Sequence, residues 1–146
     1  MPSLLVAPAS RYEVPAVPDL SNPTKRRALT PAALRGVTAL AERWELTTEE
    51  VGRLLGDVPS STWFAWKAKG APADLGTDRL TRVSLLLGIF TALRDLHREE
   101  LADRWVRLAN SNVLFAGRAP LETMQRGGIP AMVAVRALLD GRRGGL

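Results

Sequence analysis

Between Leu80 and Leu96 the sequence sets Leu80, Val83, Leu86, Leu87, Phe90, Leu93 and Leu96 three or four residues apart. Wound at 3.6 residues per turn, those side chains make one apolar stripe roughly 25 Å long, and such a stripe must be covered by other elements. Thr77 and Asp78 precede it as a capping pair. No run alternates apolar and polar residues as a half-buried strand does. The covering elements are therefore predicted to be helices as well, giving an all-α fold of about seven helices around a long central one. A chain of 146 residues has room for one modest core and for no second full-sized domain.

The punctuation on either side supplies those helices. Thr30-Pro31 reads as an N-cap followed by proline at the first helical position, and Leu34, Val37, Leu40, Ala41 and Trp44 recur at helical spacing, which predicts a helix over 31–44. Thr47 or Thr48 caps a short segment with Glu49 and Glu50 in its first turn, Val51, Leu54 and Leu55 on its inner side and Gly56 at its end. After Asp57-Val58-Pro59, Ser60 or Ser61 caps a third helix through Lys69, closed by Gly70-Ala71-Pro72. Beyond the central stretch, Leu101, Trp105 and Leu108 continue at helical spacing to Ala109, where Asn110-Ser111-Asn112 breaks the pattern. Two more helices are expected, from Pro120 to Arg126 and from Pro130 to Leu139, parted by Gly127-Gly128 and closed by Gly141.

Residues 1–29 differ in kind. Pro2, Pro8, Pro15, Pro18 and Pro23 repeatedly fix φ and remove donors, so an extended or disordered arm ending in Lys25-Arg26-Arg27 is expected, either solvated or touching nucleic acid or a partner subunit. Leu4, Leu5 and Val6 lack the basic leader and longer apolar stretch of a secretory signal. The longest mostly apolar run, Val83 to Leu93, contains Ser84, Gly88 and Thr91 and is well short of the roughly 20 residues a membrane helix needs. With no cysteine either, a cytoplasmic protein without membrane contact is expected.

Composition removes most chemistry. Without Cys there are no thiolate ligands, disulfides or cysteine nucleophiles, and the single His97 cannot build a His-rich metal centre. The pairs Glu49-Glu50 and Glu99-Glu100 are adjacent residues, about 100° apart on a helix, in first turns where the dipole favours them, so they are structural rather than acid/base couples. His97, beside Arg94 and Arg98, is expected to cap the last turn of the central helix. No phosphate loop, nucleophile elbow or metal spacing appears, so the chain is expected to be no enzyme and to need no cofactor.

The segment Thr47 to Gly70 has the layout of a helix-turn-helix. Its second helix can turn Trp63 and Trp66 inward, leaving Ser61, Phe64, Ala65 and Lys67 on or near the outer side. Ser60, Ser61 and Thr62 can offer hydroxyls and amides to phosphate or base edges, and Lys67 and Lys69 can meet phosphates further along, so these five residues with Phe64 are the candidate DNA contacts. The overall charge is +5, yet residues 30–97 carry eight basic and eight acidic side chains. A neutral reading head needs several copies acting together, which implies an oligomer, in the first instance a dimer.

One long segment carries a family likeness. Trp105-Val106-Arg107-Leu108-Ala109-Asn110-Ser111-Asn112-Val113-Leu114-Phe115-Ala116-Gly117-Arg118-Ala119-Pro120-Leu121 resembles the C-terminal domain of Xre/MbcA/ParS-type antitoxins, which have a Trp, an Asn before an apolar-Phe pair, a Gly and then Pro-Leu. The likeness resumes at Gly127-Gly128 and in the helix ending Leu138-Leu139-Asp140-Gly141, and with the helix-turn-helix it spans roughly residues 30–141. It implies a helix-turn-helix region over 30–76, a helical toxin-binding and oligomerisation domain over 77–146, and an antitoxin that represses its own operon at operator DNA and neutralises a RES-domain toxin that consumes NAD. A stand-alone regulator without a toxin, or a protein-binding adaptor with a vestigial helix-turn-helix, would carry the same upstream residues.

Within the segment, Asn112 can bond its own backbone, Phe115 can plug a core and Gly117 can take positive φ, so these read as the frame of a corner. The toxin-contacting candidates are instead the tail residues Arg142, Arg143, Gly144, Gly145 and Leu146. They are expected to be flexible beyond Gly141, with arginines suited to the pyrophosphate-binding place of an NAD-consuming enzyme.

Overall fold

The computed structural model describes residues 19–144, and every regular element among them is helical. In order they are α1 (Pro23–Arg43), α2 (Thr48–Leu54), α3 (Ser60–Lys69), α4 (Thr77–Leu96), α5 (Glu99–Arg104), 3-10 turns at Trp105–Arg107 and Val113–Phe115, and α6 (Pro120–Arg143).

Helix α1 starts a full two turns before the expected Thr30. Its N-cap is Asn22, whose side-chain oxygen accepts from the amides of Thr24 and Lys25 at 2.9 and 3.4 Å. Thr30 is not a cap: it is buried, its hydroxyl donates back to the Arg26 carbonyl at 2.8 Å and accepts the Leu75 amide at 3.1 Å. Pro31 sits inside the helix, where the bond it cannot make leaves the carbonyl of exposed Arg27 to solvent. Residues 23–29 are therefore helical rather than part of an extended arm, and the rest of that expectation, residues 1–18, lies outside the described residues.

Helices α2 and α3 form the tight pair the spacing predicted. Thr47 and Glu50 make a reciprocal capping box at 3.1 and 2.9 Å. The turn that follows is sharp because Gly56 and Asp57 both take positive φ, 84° and 64°. Close approach also dictates Gly52, since a Cβ there would lie 2.3 Å from the Val58 carbonyl oxygen.

The core has two lobes threaded by α4. Toward its start, Leu80 and Val83 join Val37, Val51, Leu55, Trp63 and Trp66, while further along Leu86, Ile89, Ala92 and Leu93 join Trp44, Trp105, Phe115, Met124, Met132 and Leu139. The central helix does not run on toward Ala109. It stops at His97, with φ −134° and ψ 159°, and α5 restarts in a new register that buries Ala102, Trp105 and Val106 and leaves Leu101 and Leu108 exposed. Arg94 fixes that corner, stacking on Phe90 at 4.8 Å and reaching Asp103 at 2.9 Å and Glu99 at 3.3 Å. His97 closes α4 through its backbone amide, bonded to the Leu93 carbonyl at 2.9 Å, rather than through its imidazole, whose Nε2 is buried without a hydrogen-bond partner.

The 110–120 corner is built as its residues suggested. Asn112 Oδ1 accepts the Leu114 amide at 2.9 Å, Gly117 has φ 82°, and buried Phe115 meets Trp105 edge-on at 5.8 Å. The two expected C-terminal helices are the halves of α6, bent at Gly128 where φ 64° and ψ −146° leave the helical region. Trp105 being buried in the larger lobe, Trp105→Ala is expected to cost about 3–5 kcal/mol through the cavity it leaves. Urea denaturation checks this, and a loss under about 1 kcal/mol would place Trp105 outside the load of the core.

Candidate nucleic-acid and partner surfaces

Helix α3 faces as its sequence predicted. Trp63 and Trp66 are buried, whereas Ser61, Phe64, Ala65, Lys67 and Lys69 are exposed and Ser60 and Thr62 half-buried. The cap differs, because Pro59 rather than Ser60 or Ser61 is the N-cap residue. Proline has no polar side chain to fold back, so the amides of Ser60, Ser61 and Thr62 point out of the helix start, while Ser60 Oγ lies 3.4 Å from Thr48 Oγ1. Lys67 is held over two rings, its Nζ 5.2 Å from the Phe64 centroid and 5.7 Å from that of Trp63. Lys69 follows in the last turn, and the helix carries no carboxylate.

Cations from other helices gather beside it. Arg35 of α1 lines a groove with Lys67, Trp66 and Gly70, a groove to which α1 also contributes the carboxylate of Glu42, and Arg79 of α4 lies 5.5 Å from the Trp66 ring. Sequence reasoning missed both, since nothing in the spacing brings α1 or α4 to α3; an exposed arginine on the polar side of α1 was the only available signal. The neutral tally over residues 30–97 also hid how the carboxylates are used. Asp74 pairs with Arg26, Asp78 with Arg82, Glu50 with Arg107 and Asp95 with Arg143. The cations on α3 are left with no carboxylate within ion-pair distance among the described residues.

The expected flexible tail is shorter than the sequence suggested. Helix α6 runs on through Arg142 and Arg143, and the Arg143 side chain is only 4% exposed, paired with Asp95 of α4 at 2.8 Å and with Asp140 at 2.7 Å. Those carboxylates extend the helix past Gly141 and convert Arg143 from a free end into a tie between α6 and α4. Gly144 is the buried C-cap residue, Arg142 is exposed, and Gly145 and Leu146 lie outside the described residues. Among the described residues no group of His, Cys, Asp and Glu could hold a metal, and no helix is long and apolar enough to cross a membrane.

Arginines connect the two halves: Arg43 of α1 pairs with Glu99 of α5 at 2.9 Å, and Arg107 makes the larger set of contacts. Arg107, in the turn after α5, donates from Nε to the Trp44 carbonyl at 2.8 Å and from Nη2 to the Glu45 carbonyl and to Glu50 Oε1, the last at 2.8 Å. It thereby holds the left-handed Glu45 (φ 53°) and the very carboxylate that caps α2. Burial opposes the Glu50 charge, but hydrogen bonds from Arg107 and Thr47 and the attraction of the guanidinium outweigh it, holding the carboxyl below its ordinary 4.5. A carboxylate with a lowered folded pKa stabilises fully above the unfolded value and loses that contribution as pH falls through the folded one. The stability gap between the native chain and Glu50→Gln should accordingly be widest near neutrality and shrink below pH 4.5 in urea titrations, whereas an equal gap in acid would remove the charge from the account.

The comparisons with known proteins divide the chain along the same lines. Residues 25–88 match the antitoxin Xre-like helix-turn-helix domain, and residues 92–145 match the antitoxin Xre/MbcA/ParS C-terminal toxin-binding domain. The chain is also 39% identical over 126 residues to the uncharacterized protein y4oB of Sinorhizobium fredii (strain NBRC 101917 / NGR234), an alignment covering 86% of this chain and 95% of that protein. With a helix-turn-helix and a toxin-binding domain matched in this order and sharing α4, the chain belongs to the Xre/MbcA/ParS antitoxins.

Proposed function

We propose that this chain neutralises a RES-domain toxin, an enzyme that consumes NAD, by direct binding through residues 92–145, and represses its own operon by laying α3 in the major groove of operator DNA. The observation that carries the reading is a toxin-binding domain joined through a shared helix to a carboxylate-free α3. On the DNA side, the amides of Ser60, Ser61 and Thr62 meet phosphate at the helix start, Phe64 faces the base edges, and Lys67 and Lys69 contact phosphates. So few cations per copy call for two copies on a two-fold operator in the cytoplasm. The reading gives the chain no reaction of its own.

On the toxin side, Arg142 projects from the end of α6, with Gly145 and Leu146 beyond it, and is suited to the anionic pyrophosphate place of an NAD-binding pocket. Arg143 contributes by fixing that end through Asp95 and Asp140 rather than by entering the pocket.

Two experiments separate these parts. Lys67→Glu with Lys69→Glu should weaken operator binding and lower the slope of log affinity against log salt by about 2, since each lost phosphate contact removes close to one unit, while inhibition of NAD consumption stays intact. An unchanged slope in gel shifts would remove these lysines from the DNA face. Arg142→Ala should relieve inhibition of a RES-domain toxin without lowering the melting temperature, whereas Arg143→Ala should lower it. Full inhibition by Arg142→Ala would shift neutralisation to the helical surface of α5 and α6, and failure of the native chain to slow NAD loss would overturn the toxin assignment.

A further inference from the structure

Five large apolar side chains are exposed among the described residues, and four of them, Leu101, Leu108, Val113 and Val133, lie within residues 92–145; the fifth is Phe64 on α3. Val113 is the extreme, 92% exposed at the start of the 3-10 turn Val113–Phe115. Leu108 belongs to the same corner, where Ala109 and Ala116 are exposed as well. Single apolar residues scattered over a surface are ordinary, but several gathered on one ordered corner mark a place where another molecule sits.

The backbone holds that corner from every side. Asn110 Oδ1 accepts the Asn112 amide at 2.8 Å, the Asn110 amide donates across the corner to the Arg118 carbonyl at 3.2 Å, and the Phe115 amide donates to the Asn112 carbonyl at 3.0 Å. None of these bonds needs an apolar side chain at position 113, because Asn112 supplies the cap and buried Phe115 the plug. Val113 is thus presented in one place, and docking it loses little conformational freedom. The flanks are basic: from Arg104 to Leu121 the sequence holds three arginines and no Asp or Glu. Arg107 is turned inward to Glu50, whereas Arg104 and Arg118 are exposed, Arg118 lying 3.7 Å from Glu122.

We propose that the corner at residues 108–118 is the anchor that docks this chain on its toxin: Val113 and Leu108 seat in an apolar pocket of that protein, and Arg104 and Arg118 face carboxylates on the pocket's rim. This rests on the reading that residues 92–145 bind a toxin and adds to it the residues that supply affinity, distinct from Arg142 in the catalytic pocket. An apolar knob flanked by cations is complementary to an apolar pocket with an acidic rim. A second copy docked corner to corner fits poorly, since two-fold symmetry sets each patch against itself and residues 104–121 offer no carboxylate to the other copy's arginines.

The test is calorimetric titration of the full chain with a purified RES-domain toxin, alongside sedimentation of each variant alone. Val113→Asp should raise the Kd about thirtyfold while leaving the melting temperature and the oligomeric state as they are in the native chain. Val113→Thr keeps the branched shape and adds only a hydroxyl, so it should raise the Kd about fivefold even if aspartate disturbs the turn. Val113→Ile should bind as the native chain does, and Arg104→Glu with Arg118→Glu should slow association about tenfold at low salt. Native-strength binding by both Val113→Asp and Val113→Thr overturns the anchor and leaves the toxin reading standing. A loss of affinity that comes with dissociation of the native oligomer also overturns it and gives the corner to a second copy. Absence of binding by the native chain overturns the toxin reading and the anchor with it.

Discussion

Everything in this molecule hangs on the burial of α4 along its whole length. Leu80 and Val83 at its start are core for the α1–α3 half, and Leu86, Ile89, Ala92 and Leu93 further on are core for the α5–α6 half, so one rigid rod of 20 residues is packed from both sides. The two family matches end and begin at residues 88 and 92, inside that rod. A boundary inside a helix is no hinge: bending there would break backbone hydrogen bonds and open both lobes together. The sequence reading divides the chain at residue 76, ahead of α4, and the packing of α4 on both lobes joins the two parts through that helix.

Charge then fastens what burial has brought together. Arg107 grips the end of α1 and the capping carboxylate of α2, and Arg143 ties the end of α6 to α4. These pairs occupy carboxylates of a half that counts as neutral, while α3 itself carries Lys67 and Lys69 and no carboxylate. Arg107 lies in the match to the toxin-binding domain and its partners in the helix-turn-helix match, so the pair α2–α3 is held in place from the other half of the chain.

Much of this was legible in the sequence, for reasons that can be stated residue by residue. Thr47 and Glu50, three apart before an apolar run, announce their capping box, and Trp63 and Trp66 declare the inner side of α3 because spacing within one helix is a local property. The 110–120 corner was readable for the same reason. What misled were signals whose meaning depends on distant partners. Thr30-Pro31 has every local mark of a helix start, but the Thr30 hydroxyl is engaged by the Leu75 amide, 45 residues away. Arg143 resembles a loose basic end until Asp95 of another helix is brought beside it. The convergence of Arg35 and Arg79 on α3 is likewise tertiary, and no spacing rule contains it.

The central claim is that the helix-turn-helix half and the half matching the toxin-binding domain are one cooperative body joined through α4. Native-state amide exchange across a low-denaturant series tests it most directly, because it reports the opening free energy of each helix separately. The account predicts that the slowest amides of α2, α3 and α6 converge on one opening free energy with one denaturant dependence, that of global unfolding. An α6 that opens at markedly lower free energy, with α2 and α3 still protected, would contradict the account and make the two halves independent domains that share a helix in name only.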